Sequence, residues 1–425
     1  MSVAEQTLRL EQLQVGIYVY LDLGWMDHPF SFSSFKIRTQ EQLDTLRGLG
    51  LSTVRWDPAR SDVQPLPVRT AGPAPSTASE TKATSGDNVA QMAAKQERVQ
   101  RLAEHREKMA RVQQAFNAVA GVVRDINRSI YSQPEKTLAQ ADKMISDIST
   151  ALLDAPDLAI YAMAEKPESE EIYFHSLNVA ILSMILAREL HLPAEVVKLL
   201  GVGAMFHDVG LNDVPSKILL NTGTLTKPER EFREQHCDFG LAIGKKAGLP
   251  RPLLNIIHQH HEHFDGSGYP QHLAGDKIDP LARIVALVNA FDSLCNPVNI
   301  AKAMTPHEAL SLMFAQQRRQ FDPRALQTFI RFMGVYPPGT VVALSNDAIG
   351  LVVNVNPVRP LKPTIIVYDA GIPKQEAIML DLNDEPDINI SRAIRPGQLP
   401  PAIYEYLNPR RRVTYFFDQG VKAER

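Results

Sequence analysis

The rhythm of apolar and polar positions changes several times along the chain, and each change predicts a different kind of element. Val15-Gly-Ile-Tyr-Val-Tyr-Leu has the β-branched and aromatic content of a strand, Thr39 to Leu49 spaces apolar residues as a capped amphipathic helix, and Ser52-Thr-Val-Arg-Trp returns to strand character. Residues 1–58 therefore predict a small α+β domain, with His28 read as a turn residue. Residues 59–88 turn to Pro, Ala, Ser, Thr and Gly, which bury too little apolar surface to offset their ordering entropy. A flexible linker is expected there.

Over 89–133 the pattern predicts one long helix. Val112, Phe116, Val119, Val123, Ile126 and Ile130 alternate spacings of three and four, the seam of a coiled coil or bundle. The pattern leaves open whether that seam meets a second subunit, as in a homodimer, or the chain's own domain. Residues 134–335 keep helical periods interrupted by prolines, and Thr226-Lys-Pro-Glu and Thr305-Pro-His-Glu have the form of capped helix starts. An all-α domain follows. Short β-branched runs such as Gly350-Leu-Val-Val-Asn-Val then predict a small β subdomain over 336–409, and 410–425 reads as a tail. The fold class is multidomain and mainly α, an all-α domain between a small N-terminal α+β domain and a small C-terminal β subdomain.

Composition changes this picture little. Hydrophobic residues make up 44% and charged residues 22%, as in ordinary soluble proteins, and a net charge of -3 provides no field for a nucleic acid polymer or an anionic membrane. The only cysteines are Cys237 and Cys295, which argues against a disulfide framework and for a reducing, cytoplasmic setting. No apolar window is long enough for a membrane span.

Histidines change it more. His258, His260, His261 and His263 crowd ahead of Asp265-Gly-Ser-Gly-Tyr-Pro270, a turn with positions suited to positive φ and a proline stop. Such a run cannot all face an apolar interior. Glu171 and His175 are four residues apart and share a helix face, and His207-Asp208 and His236 add further donors. Imidazole with carboxylate suits Fe, Mn, Ni or Zn, and the set contains no thiolate of the kind that favours a structural zinc site.

Phe206-His207-Asp208-Val209-Gly210, Leu225-Thr226, His236 with Gly240, and His260-His261-Glu262 leading into Asp265-Gly-Ser-Gly-Tyr-Pro270 resemble, in order and spacing, the bacterial HD-GYP domain, a branch of the HD phosphohydrolases. The resemblance runs from about Glu171 to Pro323, and the first sixty residues look like the uncharacterised domain often found ahead of HD-GYP. It implies hydrolysis of cyclic di-GMP, through pGpG to GMP, at two or three metals, iron or manganese. Carried over by motif, the metal ligands are Glu171, His175, His207, Asp208, His236, His260, His261 and, at the family's aspartate position, Asn289. Asp208 is implied as the bridge between metals and, with His207, as the catalytic pair. Asp265, Gly266, Gly268, Tyr269, Pro270 and Asp292 are implied on the substrate side.

Three departures accompany the match. Asn289 is neutral where the family has a metal-binding aspartate, and Leu211 replaces the lysine after His-Asp-x-Gly. Val298-Asn-Ile-Ala301 replaces a segment with two phosphate-reaching cations. Each such contact contributes roughly 1.5 to 3 kcal/mol, so cyclic di-GMP binding is expected to be weakened by several orders of magnitude. Two functional classes follow: a metal-dependent cyclic di-GMP phosphodiesterase of reduced or altered activity, and a non-catalytic module acting through protein contacts, for example with diguanylate cyclases.

Overall fold

The computed structural model describes residues 6–23, 28, 30, 33–67, part of 93–129, 130–154, 160–163, 171–355, 359–374, 377–409 and 414–417. Two compact units are distinguished within the chain.

The N-terminal part follows the predicted strand and helix pattern. Strands β1 (Gln6–Arg9), β2 (Tyr18–Tyr20), β3 (Ser34–Lys36) and β4 (Thr53–Asp57) form an antiparallel sheet in the order β1-β4-β2-β3. The register sets Leu8 opposite Val54 and Val19 opposite both Phe35 and Trp56. Because side chains alternate across a strand, these apolar residues share one face, which is covered by Leu43 and Leu46 of helix Gln40–Gly48. Thr39 caps that helix by accepting the Gln42 N–H.

Two expectations are refined here. His28 lies in a bend, as expected of a turn residue, but it is fully buried, its Nε2 lying 3.3 Å from Ser33 Oγ. The first part of the expected linker is anchored, since the Asp62 and Leu66 amides donate to the Gly16 and Gln12 carbonyls. Residues 68–88 lie outside the described residues.

Every described position between 93 and 129 is helical. Val123, Ile126 and Ile130 are buried in the helical core of this same chain, with Val119 packed against it. This end of the seam therefore closes on its own domain. Met109, Val112 and Phe116 are outside the described residues.

The helical unit is built around helix Glu171–Glu189, which is buried on every side from Leu177 to Ala187. Helices Pro134–Asp154, Ala194–Phe206, Pro280–Cys295 and Pro323–Met333 pack on it. Close approach requires glycine at 201, where a Cβ would stand only 2.5 Å from Met184 Sδ. The proline-marked starts occur as predicted: Thr226 and Thr305 form capping boxes with Glu229 and Glu308. Asp279 and Asp322 cap helices Pro280–Cys295 and Pro323–Met333.

The helical segment is not wholly α. Strand β5 (Ile160–Met163) interrupts it and pairs antiparallel with β11 (Thr414–Phe417), so part of the expected tail is a strand instead. The C-terminal strands β6 (Val341–Leu344), β7 (Ile349–Asn354), β8 (Thr364–Val367), β9 (Ile378–Asp381) and β10 (Ile390–Ile394) form one sheet in the order β10-β6-β7-β8-β9. Among the described residues no helix is long and apolar enough to cross a membrane.

Candidate metal centre

Helix ends bring the donors together. His207 is the C-cap of Ala194–Phe206 and His260 that of Arg251–Gln259, while His236 follows directly on the C-cap of Lys227–Glu234. At a helix end the last carbonyls lack intrahelical partners, and each of these histidines uses one three residues back. Nδ1–H of His207 donates to Ala204 O at 2.6 Å, that of His236 to Arg233 O at 2.7 Å, and that of His260 to Ile257 O at 2.8 Å. A carbonyl can only accept, so in the neutral form of each ring the proton resides on Nδ1 and the Nε2 lone pair is turned inward.

Asp208 stands where those lone pairs meet. Oδ1 is 3.3 Å from His236 Nε2 and 3.4 Å from His260 Nε2, while Oδ2 is 3.4 Å from His207 Nε2 and 3.6 Å from His175 Nε2. Two overlapping donor clusters result, Asp208-His236-His260-His261 and His175-His207-Asp208, with the donor atoms of each within 4.8 Å of one another. His236 and His260 point Nε2 at Nε2 across 3.2 Å. Two acceptors facing each other beside a carboxylate are stabilised by a cation between them. His207 Nε2 is buried and makes no hydrogen bond, its approach to Asp208 being misaligned for one. The unbonded His207 Nε2 and the facing Nε2 atoms of His236 and His260 fit a metal, and the nitrogen and oxygen donors fit iron, manganese, nickel or zinc.

Electrostatics agree with that use. Burial raises the Asp208 carboxyl, but the imidazoles of His207, His236 and His260 gathered around it outweigh that and hold the group well below the carboxylate range. Burial pushes His260 down to about 4, and burial with the neighbouring His260 and His236 pushes His261 well below its usual value. Both rings are neutral at pH 7 and need lose no proton to bind a cation. Cys237 Sγ is 3.7 Å from His236 Nε2, but burial raises its thiol, which keeps the proton and is a poor ligand in that form.

His175 is held from behind. Its Nδ1 lies 2.6 Å from Asp292 Oδ2, and Asp292 Oδ1 accepts from Asn178 Nδ2 at 2.5 Å and Asn296 Nδ2 at 2.9 Å. Burial opposes protonation of His175, yet Asp292 outweighs it and raises the imidazole above its ordinary value. Asp292, expected beside substrate, is instead buried as a support for His175, the carboxylate-histidine arrangement typical of metal sites. Asn289 is buried within hydrogen-bonding reach of the same ring. The side chain of Glu171 lies outside the described residues.

The glycine-rich loop abuts the cluster through Tyr269, whose ring stacks on His261 at 4.6 Å and 17°. Gly268 is required, since a Cβ there would collide with the backbone of His261 and His263, and Gly266 sits at φ +82°. Asp265 is exposed and accepts the Ser267 N–H and O–H. Pro270 follows at the loop's end, partly buried.

Glu262 is the functional support that sequence reasoning missed. It is 1% exposed, and its Oε1 and Oε2 accept the amides of Gln271 at 2.6 Å and Leu273 at 2.9 Å, tying down the far end of the loop. A buried acid in a run of histidines was the available signal. Glu262→Gln places an amide NH2 against a backbone N–H, and an unfolding midpoint equivalent to a loss of about 2 kcal/mol is expected in urea. An unchanged midpoint would show that the loop is held by other contacts.

Residues 151–325 match the HD domain, 341–400 a KOW domain associated with HD domain, and 5–141 a domain of unknown function, DUF3391. The cyclic di-GMP phosphodiesterase PA4108 of Pseudomonas aeruginosa is 30% identical over 360 residues, 84% of this chain and 83% of that protein. The chain belongs to the HD-GYP family. Other relatives match over less of their length. The response regulator RpfG of Xanthomonas campestris, named a cyclic di-GMP phosphodiesterase, is 36% identical over 35% of this chain and 39% of its own. The 3'3'-cGAMP-specific phosphodiesterase 2 of Vibrio cholerae is 30% identical over 40% of this chain and 33% of its own.

Proposed function

We propose that this HD-GYP chain is a cytoplasmic, metal-dependent phosphodiesterase that hydrolyses cyclic di-GMP through pGpG to GMP, with two or three iron or manganese ions. The observation that carries the metal assignment is the set of inward Nε2 lone pairs around Asp208, with His207 Nε2 buried and unbonded. The phosphodiesterase assignment draws on the relatives named for that activity. His236, His260, His261 and Asp208 hold one ion and His175, His207 and Asp208 another, with Glu171 as an additional ligand. Divalent ions held by these residues would supply charge to neutralise a phosphodiester and would lower the pKa of a bound water. The protein's own part is to turn the imidazole Nε2 atoms inward by holding Nδ1 from behind, and to line the substrate side with the Asp265–Pro270 loop.

A second reading has support of its own. Asn289 places a neutral group beside His175, and Leu211 and Val298 supply no cation for a phosphate. This favours a non-catalytic module acting through a protein partner such as a diguanylate cyclase. Anaerobic purification with iron or manganese, metal counting and a cyclic di-GMP turnover assay decide between the two. Two or more ions per chain with release of pGpG or GMP are expected, and a fully metallated chain that leaves the nucleotide intact would reverse the assignment. Asn289→Asp should tighten the metal at His175 and His207 on the order of tenfold, the lower end of what a supporting ligand contributes. Competition with a calibrated chelator measures it, and equal affinities would remove Asn289 from the site.

A further inference from the structure

A cavity of about 670 Å³ lies beside the start of the glycine-rich loop, and none of the clustered His and Asp ligands lines it. That volume is in the range of small-molecule pockets. Its wall is aromatic, with Phe264 from the loop, Phe321, and Phe314, which leaves 59% of its surface exposed. The rim carries Arg318 and Arg319, and among the described residues no carboxylate lies within ion-pair distance of either. The contrast with Arg283 is informative: its guanidinium stands 5.4 Å over the Phe264 ring, but Asp276 and Asp322 pair with it. The remaining polar wall is Asp265, whose two bonds from Ser267 both go to Oδ1. Its Oδ2 is left to accept from a ligand.

Each part selects a feature of a ligand. Aromatic rings favour a flat base, two guanidiniums with no carboxylate partner among the described residues favour a phosphate, and a carboxylate oxygen favours a ring edge that donates. Guanine presents N1–H and an exocyclic amine side by side on one edge, whereas adenine sets its one exocyclic amine beside an N1 lone pair that a carboxylate repels. We infer that this cavity is a second, metal-independent binding site for a guanine mononucleotide, with the base against Phe264 and Phe314, its donor edge at Asp265 and its phosphate at Arg318 and Arg319. The Phe264 amide donates to Gln320 O at 2.8 Å, which fastens the arginine-bearing turn to the loop. The site does not require turnover at the histidine cluster.

Calorimetric titration of the full chain with GMP and AMP, in EDTA, tests it. GMP is expected to bind about tenfold more tightly than AMP, the value of one charge-assisted contact. Asp208→Ala should leave GMP binding intact, which separates this site from the metal centre. Arg318→Glu with Arg319→Glu should weaken it by more than about tenfold. Asp265→Asn should bring GMP and AMP toward parity, and Phe314→Ala, at an exposed position that leaves the core untouched, should weaken both. The inference is overturned if EDTA-treated protein does not bind GMP, if AMP binds equally well, or if a folded double-arginine variant binds like wild type.

Discussion

Asp208→Asn is expected to empty both halves of the metal centre at once. Substitution of a ligand confined to one cluster, such as His236 or His175, should spare the other. The difference follows from geometry: Oδ1 faces His236 and His260, and Oδ2 faces His207 and His175. Asparagine preserves the volume but removes the charge and one of the two acceptors. Loss of a supporting partner typically costs 10–100-fold in metal affinity or activity, so loss of the shared ligand should exceed about 100-fold in turnover. Metal counting should give less than one ion per chain. A thermal readout is independent of activity. Metal bound at about 100 times its dissociation constant stabilises the fold by about 2.7 kcal/mol, so EDTA should lower the wild-type midpoint and leave that of Asp208→Asn unmoved. A variant that keeps two ions per chain would remove Asp208 from the bridging position.

The convergence of the histidines was legible in the sequence because the motifs that carry the resemblance are local, short runs at a set spacing. His175, His207, Asp208, His236, His260 and His261 all meet as expected. What was not legible depends on partners far along the chain. Asp292 was implied on the substrate side by its motif, and nothing local to that motif speaks of His175, 117 residues away, which takes its carboxylate. Glu262 looked like part of a polar run, and its burial follows only from the return of Gln271 and Leu273. The pairing of Thr414–Phe417 with Ile160–Met163 was hidden for a similar reason. The segment 410–425 was read as a tail although Thr-Tyr-Phe-Phe has β-forming residues, because a strand of four beside Arg410 to Arg412 has no visible partner in the sequence. The seam at Val123, Ile126 and Ile130 was correctly apolar, but periodicity cannot say which surface it meets.

Gly210→Ala should disable the centre without touching a ligand. Gly210 lies in the 3-10 turn Val209–Asp213 directly after Asp208, and a Cβ there would stand closer than 3.0 Å to the backbone of both His236 and Gly240. Neither obstacle is a side chain that can rotate away. The turn and helix His236–Lys246 must therefore separate by a large fraction of an ångström, and that separation lies between Asp208 and His236, now 3.3 Å apart. Overpacking of this kind costs about 1–3 kcal/mol in stability, and a displacement near 1 Å can cost about 100-fold in rate. The matched control is Gly240→Ala. Its added Cβ meets Ile257 Cγ2 at 2.7 Å, and it clears the Gly210 amide at 3.4 Å. A side chain can shift where a backbone cannot, so Gly240→Ala should lose stability while retaining most of its metal. Gly210→Ala should lose both. Urea midpoints and metal content measured on the two variants side by side check this, and equal metal retention would show that the Gly210 contact does not set the Asp208 to His236 spacing.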